Sequence, residues 1–238
     1  MRKILLLSLA LIALASCKKE PPDVGSDKMY MITKKSGIVR IYIAGSGYAS
    51  IDWGDGSIAK YISVGSSAGY IDHAYTGMVA CTITITSKNV TSLECPNNNL
   101  INLDVSENKV LKVLYCHDNE LASLNVNSNT ALTSLNCSDN KFRYLDVSRN
   151  TALTFLDCNN NELESLDVQN NTALRNLYCN SNQMEAPALV SLLGALHSNK
   201  FESEKQVWII DNPGLLDYDG ISAAVANAQA KGWTVFRN

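Results

Sequence analysis

"NTALTFLDCNNNELESLDVQ", residues 150–169, spaces its leucines at 153, 156, 163 and 166 and sets a cysteine, Cys158, where that spacing calls for another apolar side chain. The stretch recurs. Aligning "VTSLECPNNNL", "LKVLYCHDNEL", "LTSLNCSDNKF", "LTFLDCNNNEL" and "LRNLYCNSNQM" puts Cys95, Cys116, Cys137, Cys158 and Cys179 in one column, each 21 residues after the last. Asn98, Asn119, Asn140, Asn161 and Asn182 form a second column. The halves between them, "LINLDVSEN", "LASLNVNSN", "FRYLDVSRN" and "LESLDVQNN", keep the leucine spacing with Val105, Val126, Val147 and Val168 in the cysteine's place. A unit of this length cannot bury its own apolar face, so a fixed period predicts stacked units that complete one another's cores.

The pattern Leu-x-x-Leu-x-Cys-x-x-Asn-x-Leu resembles the leucine-rich repeat. A 21-residue unit with a second half reading Leu-x-x-Leu-Asp-Val is similar to the bacterial subclass called IRREKO, found in secreted and surface proteins of Bacteroidota. The resemblance covers residues 89–184, about four and a half units, and implies a β-solenoid. Within a coil the cysteine is expected to face inward and pack as a small hydrophobe. A zinc site needs four converging ligands, whereas a ladder supplies only neighbours above and below. Disulfides between coils are the stronger rival, because a strand spacing of ~4.8 Å overlaps the allowed Cα range. Parallel side chains nevertheless hold their Cβ atoms apart. The asparagine amides are expected to satisfy backbone groups where the coil turns.

Binding belongs to the side chains that face outward from the cysteine-bearing strands. Val113, Tyr115, His117, Phe155, Asp157 and Tyr178 are the candidate ligand-binding face, since Tyr and Phe are residue types that anchor partners. Two alternatives stay open: the rings pack on one another across strands, or they lie under a neighbouring domain. Asp104, Asn125, Asp146 and Asp167 are expected to form a polar row on the other strand, with calcium a minor possibility.

The N-terminus, "MRKILLLSLALIALASC", has a basic start and an apolar run too short to span a bilayer, so residues 1–16 read as a signal peptide. "LASC" resembles the lipobox of bacterial lipoproteins, which implies acylation of Cys17 and membrane attachment through that lipid. Residues 17–27 are polar with two prolines and read as a tether. Lys18, Lys19 and Glu20 loosely resemble surface-export signals of gut Bacteroidota. Outer-membrane location with cell-surface exposure is the expectation, a periplasm-facing anchor the alternative.

Residues 28–88 read as strands. Val39, Ile41 and Ile43 alternate in one, Val79, Cys81, Ile83 and Ile85 in another. "WGDG" at 53–56 with His73, Tyr75 and Gly77 resembles the PKD-type immunoglobulin-like sandwich, in which Asp52 and Asp55 hold the turn. "GSSAG", residues 65–69, matches a nucleophile motif with Asp72 and His73 close behind. A nucleophile elbow needs a helix after the serine, but "YIDHAY" alternates like a strand, and Asp72 and His73 would point to opposite faces. Ser67 is thus a poor nucleophile candidate. His73, His117 and His197 show no zinc spacing.

Residues 185–238 read as an α/β cap: a helix over "APALVSLLGALHS", a strand at "QVWII", a helix capped by Asp219 and ended by Gly232, then "WTVF". Asp217 and Asp219 hint at a calcium loop without its remaining ligands. The reading is a mixed fold: a PKD-like β-sandwich, a leucine-rich-repeat solenoid and an α/β cap. A net charge of -3 with 18% charged residues argues against nucleic acid as a partner. No cofactor motif is present. The expected function is a non-catalytic lipoprotein that binds a protein, with glycan binding as the alternative and hydrolysis a distant third.

Overall fold

The computed structural model describes residues 22–77, 79–201, 203–216 and 218–237, so Cys17, the signal segment and Asp217 lie outside the described residues. Six antiparallel strands come first: β1 (Lys28–Thr33), β2 (Gly37–Gly45), β3 (Tyr48–Asp52), β4 (Lys60–Ser63), β5 (Gly69–Tyr75) and β6 (Cys81–Thr86). Their alternation works as expected in β2, where Val39, Ile41 and Ile43 are buried and Ile38 and Arg40 are exposed. In β6 it holds only from Cys81 onward. Val79 lies before the strand and is 74% exposed, because pairing with β1 ends at Thr33–Cys81.

The repeats follow as β7 (Val90–Glu94), β8 (Leu100–Asp104), β9 (Val113–Tyr115), β10 (Ser134–Asn136), β11 (Phe155–Asp157) and β12 (Asn176–Tyr178). One strand per 21 residues, always entered in the same direction, makes the β7–β9–β10–β11–β12 run parallel and in register. The first coil does not stand apart from what precedes it. Its two halves join different sheets: β7 pairs with β2, and β8 pairs with β1. The result is a five-stranded sheet, β4-β3-β6-β1-β8, and a nine-stranded sheet, β14-β13-β12-β11-β10-β9-β7-β2-β5. Met31, Ile51 and Ile85 from one sheet and Ile41, Leu93 and Leu135 from the other belong to a single buried cluster. Residue 88 is therefore a change in sequence pattern within a continuous core.

Asparagine amides tie the coils together. Asn119 donates from Nδ2 to the carbonyls of Cys95 and Cys116, both at 3.0 Å, and its Oδ1 accepts from the N–H groups of Asn98 and Leu100. Asn140, Asn161 and Asn182 repeat the two donations one coil further each time, and their Oδ1 atoms accept from Leu121, Phe142 and Leu163 N–H. Each follows a residue held at positive φ, as Asp118, Asp139, Asn160 and Ser181 are, which turns the chain so that the amide points inside. A second amide column, Asn108, Asn129, Asn150 and Asn171, donates from Nδ2 to backbone carbonyls at the other bend, while its buried Oδ1 atoms accept no hydrogen bond from the described residues. Asn129, for example, donates to Val105 and Asn108 carbonyls at 2.9 Å. Sequence reading overlooked this column although it recurs in every "SEN", "NSN", "SRN" and "QNN".

The second halves differ from expectation in one respect. Only Asp104 of the anticipated polar row lies in a strand. Asp104, Asn125, Asp146 and Asp167 each accept the backbone N–H two residues ahead, from Ser106, Asn127, Ser148 and Gln169, at 2.8–3.1 Å. The contact closes a local turn after each residue; Asp104 makes it and still pairs with Tyr30 of β1, whereas the segments at Asn125, Asp146 and Asp167 have no such neighbour and form no strand.

The C-terminal part continues the stack: α1 (Ala186–Ala195), β13 (Lys205–Trp208), a 3₁₀ turn at Pro213–Leu216, α2 (Tyr218–Ala230) and β14 (Trp233–Phe236). Val207 pairs with Leu177, and Asn212 donates to the Cys179 and Ile209 carbonyls at 3.1 and 2.9 Å. "VWIIDN" is thus a further half-coil with Ile209 in the cysteine's place, and α1 stands in for the missing second half. The helix α2 begins at Tyr218, so Asp219 sits in its first turn and is not its cap. Gly232, at φ 84°, ends it as expected. Among the described residues no helix is long and apolar enough to cross a membrane.

Candidate binding face

The outward side of the nine-stranded sheet carries the six expected residues on neighbouring strands, all half-buried. Tyr115, Asn136, Asp157 and Tyr178 stand in one column, and Val113, Ser134, Phe155 and Asn176 in the next. His117 lies beyond the end of β9, with its ring 6.5 Å from that of Tyr115. The Tyr115 hydroxyl and Ser134 Oγ share a hydrogen bond of 3.0 Å.

Two residues of this face escaped the sequence reading. Register carries the column from Tyr178 to Trp208 and on to Phe236. The rings form a stack: Phe155 and Tyr178 at 5.7 Å, Tyr178 and Trp208 at 5.9 Å, Trp208 and Phe236 at 4.0 Å with planes only 13° apart. Cross-strand packing, held open above, is therefore present at the C-terminal end. The signal was available: "IIDN" at 209–212 repeats the turn-and-asparagine pattern of the coils, which places Trp208 where Tyr178 stands one coil earlier. Stacking covers one face of Trp208 and one of Phe236 with the other ring.

Among Tyr115, Asn136, Asp157 and Tyr178 the charged residue is Asp157. Burial, reinforced by the nearby Asp139 charge, pushes its carboxyl above the usual range, against the pull of a hydrogen bond from Asn159 N–H and of His117. It forms no ion pair among the described residues.

The inward side is closed. Cys95, Cys116, Cys137, Cys158 and Cys179 are fully buried free thiols, and burial raises them all, Cys116 to about 12. Cys158 and Cys179 point their Sγ atoms at the Tyr178 and Trp208 carbonyls. Packing answers the question Cys158 raised.

The other candidates separate. Ser67 lies in a bend between β4 and β5 with no helix after it. Asp72 is held by Arg40 at 2.7 and 2.8 Å, and His73 by Asp55 at 2.6 Å, so no triad assembles around Ser67. The Trp53 turn is a packed unit: Trp53 stacks on His73 at 4.7 Å, Tyr75 donates its hydroxyl to the Trp53 carbonyl at 2.6 Å, and Asp52 accepts from Gly54 N–H. Gly54, at φ 73°, admits no side chain, because a Cβ there would sit 2.2 Å from the Thr82 carbonyl oxygen. Asp52 and Asp55 thus serve the turn. His197 belongs to the cap, bonded to the Leu174 carbonyl, far in sequence and role from His73 and His117.

Parallel strands at 21-residue intervals, inward leucines and asparagine ladders give this chain a stacked-repeat architecture like that of leucine-rich-repeat proteins. Among solved structures the chain is similar to the functional domain of InlJ from Listeria monocytogenes, which includes a cysteine ladder, with 31% identity and a TM-score of 0.45 over 52% of this chain and 26% of that one. It is also similar to an internalin, inlF, from Listeria monocytogenes, with 20% identity and a TM-score of 0.40 over 45% of this chain and 31% of that one. The chain spans less than a third of either. No protein-family model matches the sequence, and no curated protein does.

Proposed function

We infer that this chain is a non-catalytic protein-binding module whose partner docks on the outward strand face centred on Val113, Tyr115, His117, Phe155, Asp157 and Tyr178. The observation that carries the reading is the column itself: aromatic side chains and a partly desolvated, unpaired carboxylate share one open sheet face, where solvated polar residues would cost less. Aromatic rings held in place by their neighbours supply apolar contact area at low entropic cost, which suits a protein partner. The lipobox-like "LASC" and the polar tether support attachment through Cys17 to the outer membrane, with the module held at the cell surface. The resemblance of residues 28–88 to a PKD-type sandwich supports a role for that part as the spacer-side end of the module.

A photo-crosslinking amino acid tests the site in cells. At Asn136, in the middle of the column, it is expected to yield a covalent adduct with a partner protein. At Tyr144, which is 69% exposed on the unpaired half of its coil, it is expected to yield none. Adducts from Tyr144 alone would move the binding site off the strand face.

A further inference from the structure

The outward column does not stop at the repeats. Glu94 on β7 pairs with Tyr42 on β2, and Tyr42 pairs with Tyr70 on β5, so the same row runs Tyr70, Tyr42, Glu94, Tyr115, Asn136, Asp157, Tyr178 across both parts of the molecule. Tyr70 is 64% exposed and Ile38, four residues before Tyr42 on the same face of β2, 54%. Beside them lies a cleft of about 350 Å³ whose apolar walls are Ile38, Tyr42 and Pro96. Its cations are already engaged: Arg40 pairs with Asp72 and lies 4.9 Å over the Tyr70 ring, and Lys35 donates to the Asn97 carbonyl. What this end offers a partner is therefore apolar. The middle of the row offers the opposite. Glu94 and Asp157 face outward with no ion pair among the described residues.

We propose that β2 and β5 carry a second anchor for the partner of the repeat face, and that this partner presents one extended polypeptide segment running across the strands, apolar at both ends with Lys or Arg between. The proposal rests on the strand-face reading above. Five strand-to-strand steps separate Tyr42 from Tyr178, ~24 Å at ~4.8 Å each, which about seven extended residues span at ~3.3 Å each. The two end anchors meet Ile38, Tyr42 and Tyr70 on one side and Phe155, Tyr178 and Trp208 on the other. A basic side chain between them supplies the counter-charge that Glu94 and Asp157 lack, and it selects against acidic segments by like-charge repulsion.

The test pans random peptides of about twelve residues, ~40 Å when extended, against the full chain, followed by affinity measurements on the enriched peptide. The expected peptides carry aromatic or aliphatic residues toward both ends with Lys or Arg between. Tyr178→Ala and Tyr42→Ala should each weaken binding on the order of tenfold, and Asp157→Asn should weaken it and flatten its salt dependence. Tyr70→Ala, at a more exposed site, gives the same reading should Tyr42→Ala lower the unfolding midpoint. Loss with Tyr178→Ala but none with Tyr42→Ala or Tyr70→Ala overturns the second anchor and leaves the repeat face standing. No loss with any of them overturns the strand-face reading itself. Enriched peptides without basic residues overturn the charge assignment, and a dimer abolished by Tyr178→Ala would make a second copy the occupant.

Discussion

Asn98 exchanges two hydrogen bonds with the backbone of Arg40: its Oδ1 accepts from the Arg40 N–H at 3.0 Å and its Nδ2 donates to the Arg40 carbonyl at 2.7 Å. In every later coil the equivalent asparagine grips the coil before it. Here the place of that earlier coil is taken by β2. The N-terminal strands therefore act as the coil below the first repeat, covering a core that a bare stack would expose to water.

Asn98→Ala should accordingly destabilise the whole chain. It strands the N–H and carbonyl of Arg40 in a site where Asn98 itself is almost fully buried, at a cost of about 2–3 kcal/mol. Urea unfolding followed by tryptophan fluorescence reads this directly, and a midpoint matching that of the unmodified chain would remove the capping role.

The thiol ladder should be chemically silent. Burial raises all five ladder cysteines, Cys116 to about 12, so thiolate is scarce at neutral pH and reagents have no path inward. With iodoacetamide at pH 8, mass spectrometry should find Cys95, Cys116, Cys137, Cys158 and Cys179 unmodified until denaturant is added, while half-exposed Cys81 reacts. Modification of several ladder cysteines in the native chain would mean that the coils open readily.

Acid should loosen the Trp53 turn before the repeats. Hydrogen bonds from the Ser57 side chain, from His73 and from the Ser57 backbone hold the Asp55 carboxyl well below the ordinary carboxylate range. A carboxyl lowered by folding adds stability above its unfolded value of ~4, and that contribution fades as pH falls toward the lower folded value. Asp55→Asn should flatten the pH dependence of the unfolding midpoint below about pH 4. An unchanged slope would show that the pair with His73 contributes nothing.

Asp157 carries the opposite sign. Its carboxyl is raised by burial, so the neutral form favours folding below the unfolded value, and this contribution is lost as pH rises through the folded one. At pH 7 the free chain bears that cost. Asp157→Asn should raise the melting temperature at pH 7 by a degree or so and leave it nearly unchanged at pH 3, while weakening partner binding. A lower melting temperature at pH 7 would make Asp157 a structural residue.

Much of the repeat region was legible because its inward positions obey a local rule that is copied in every coil. Leucine, cysteine and asparagine columns must recur at 21 residues for one coil to seal the next, so Leu135, Cys137 and Asn140 could be assigned from spacing alone. The outward columns followed from the same alternation, which is how Tyr115, Asp157 and Tyr178 were found. The second halves misled because the "LDVS" leucine spacing is the same in every coil, yet only the first copy, at Leu103 and Asp104, meets a neighbouring strand, β1, to pair with.

Spacing along the chain says which way a side chain points, and for this protein that established the repeat, the buried thiols and the chemistry of the central face. It does not say which strands meet. That Tyr42 shares a row with Glu94, 52 positions away, or that Trp208 and Phe236 prolong the row of Tyr178, depends on pairings between segments with no common repeat. Those pairings are chosen by where the first and last coils must hide their cores, a requirement of the assembled stack and not of any single stretch of sequence.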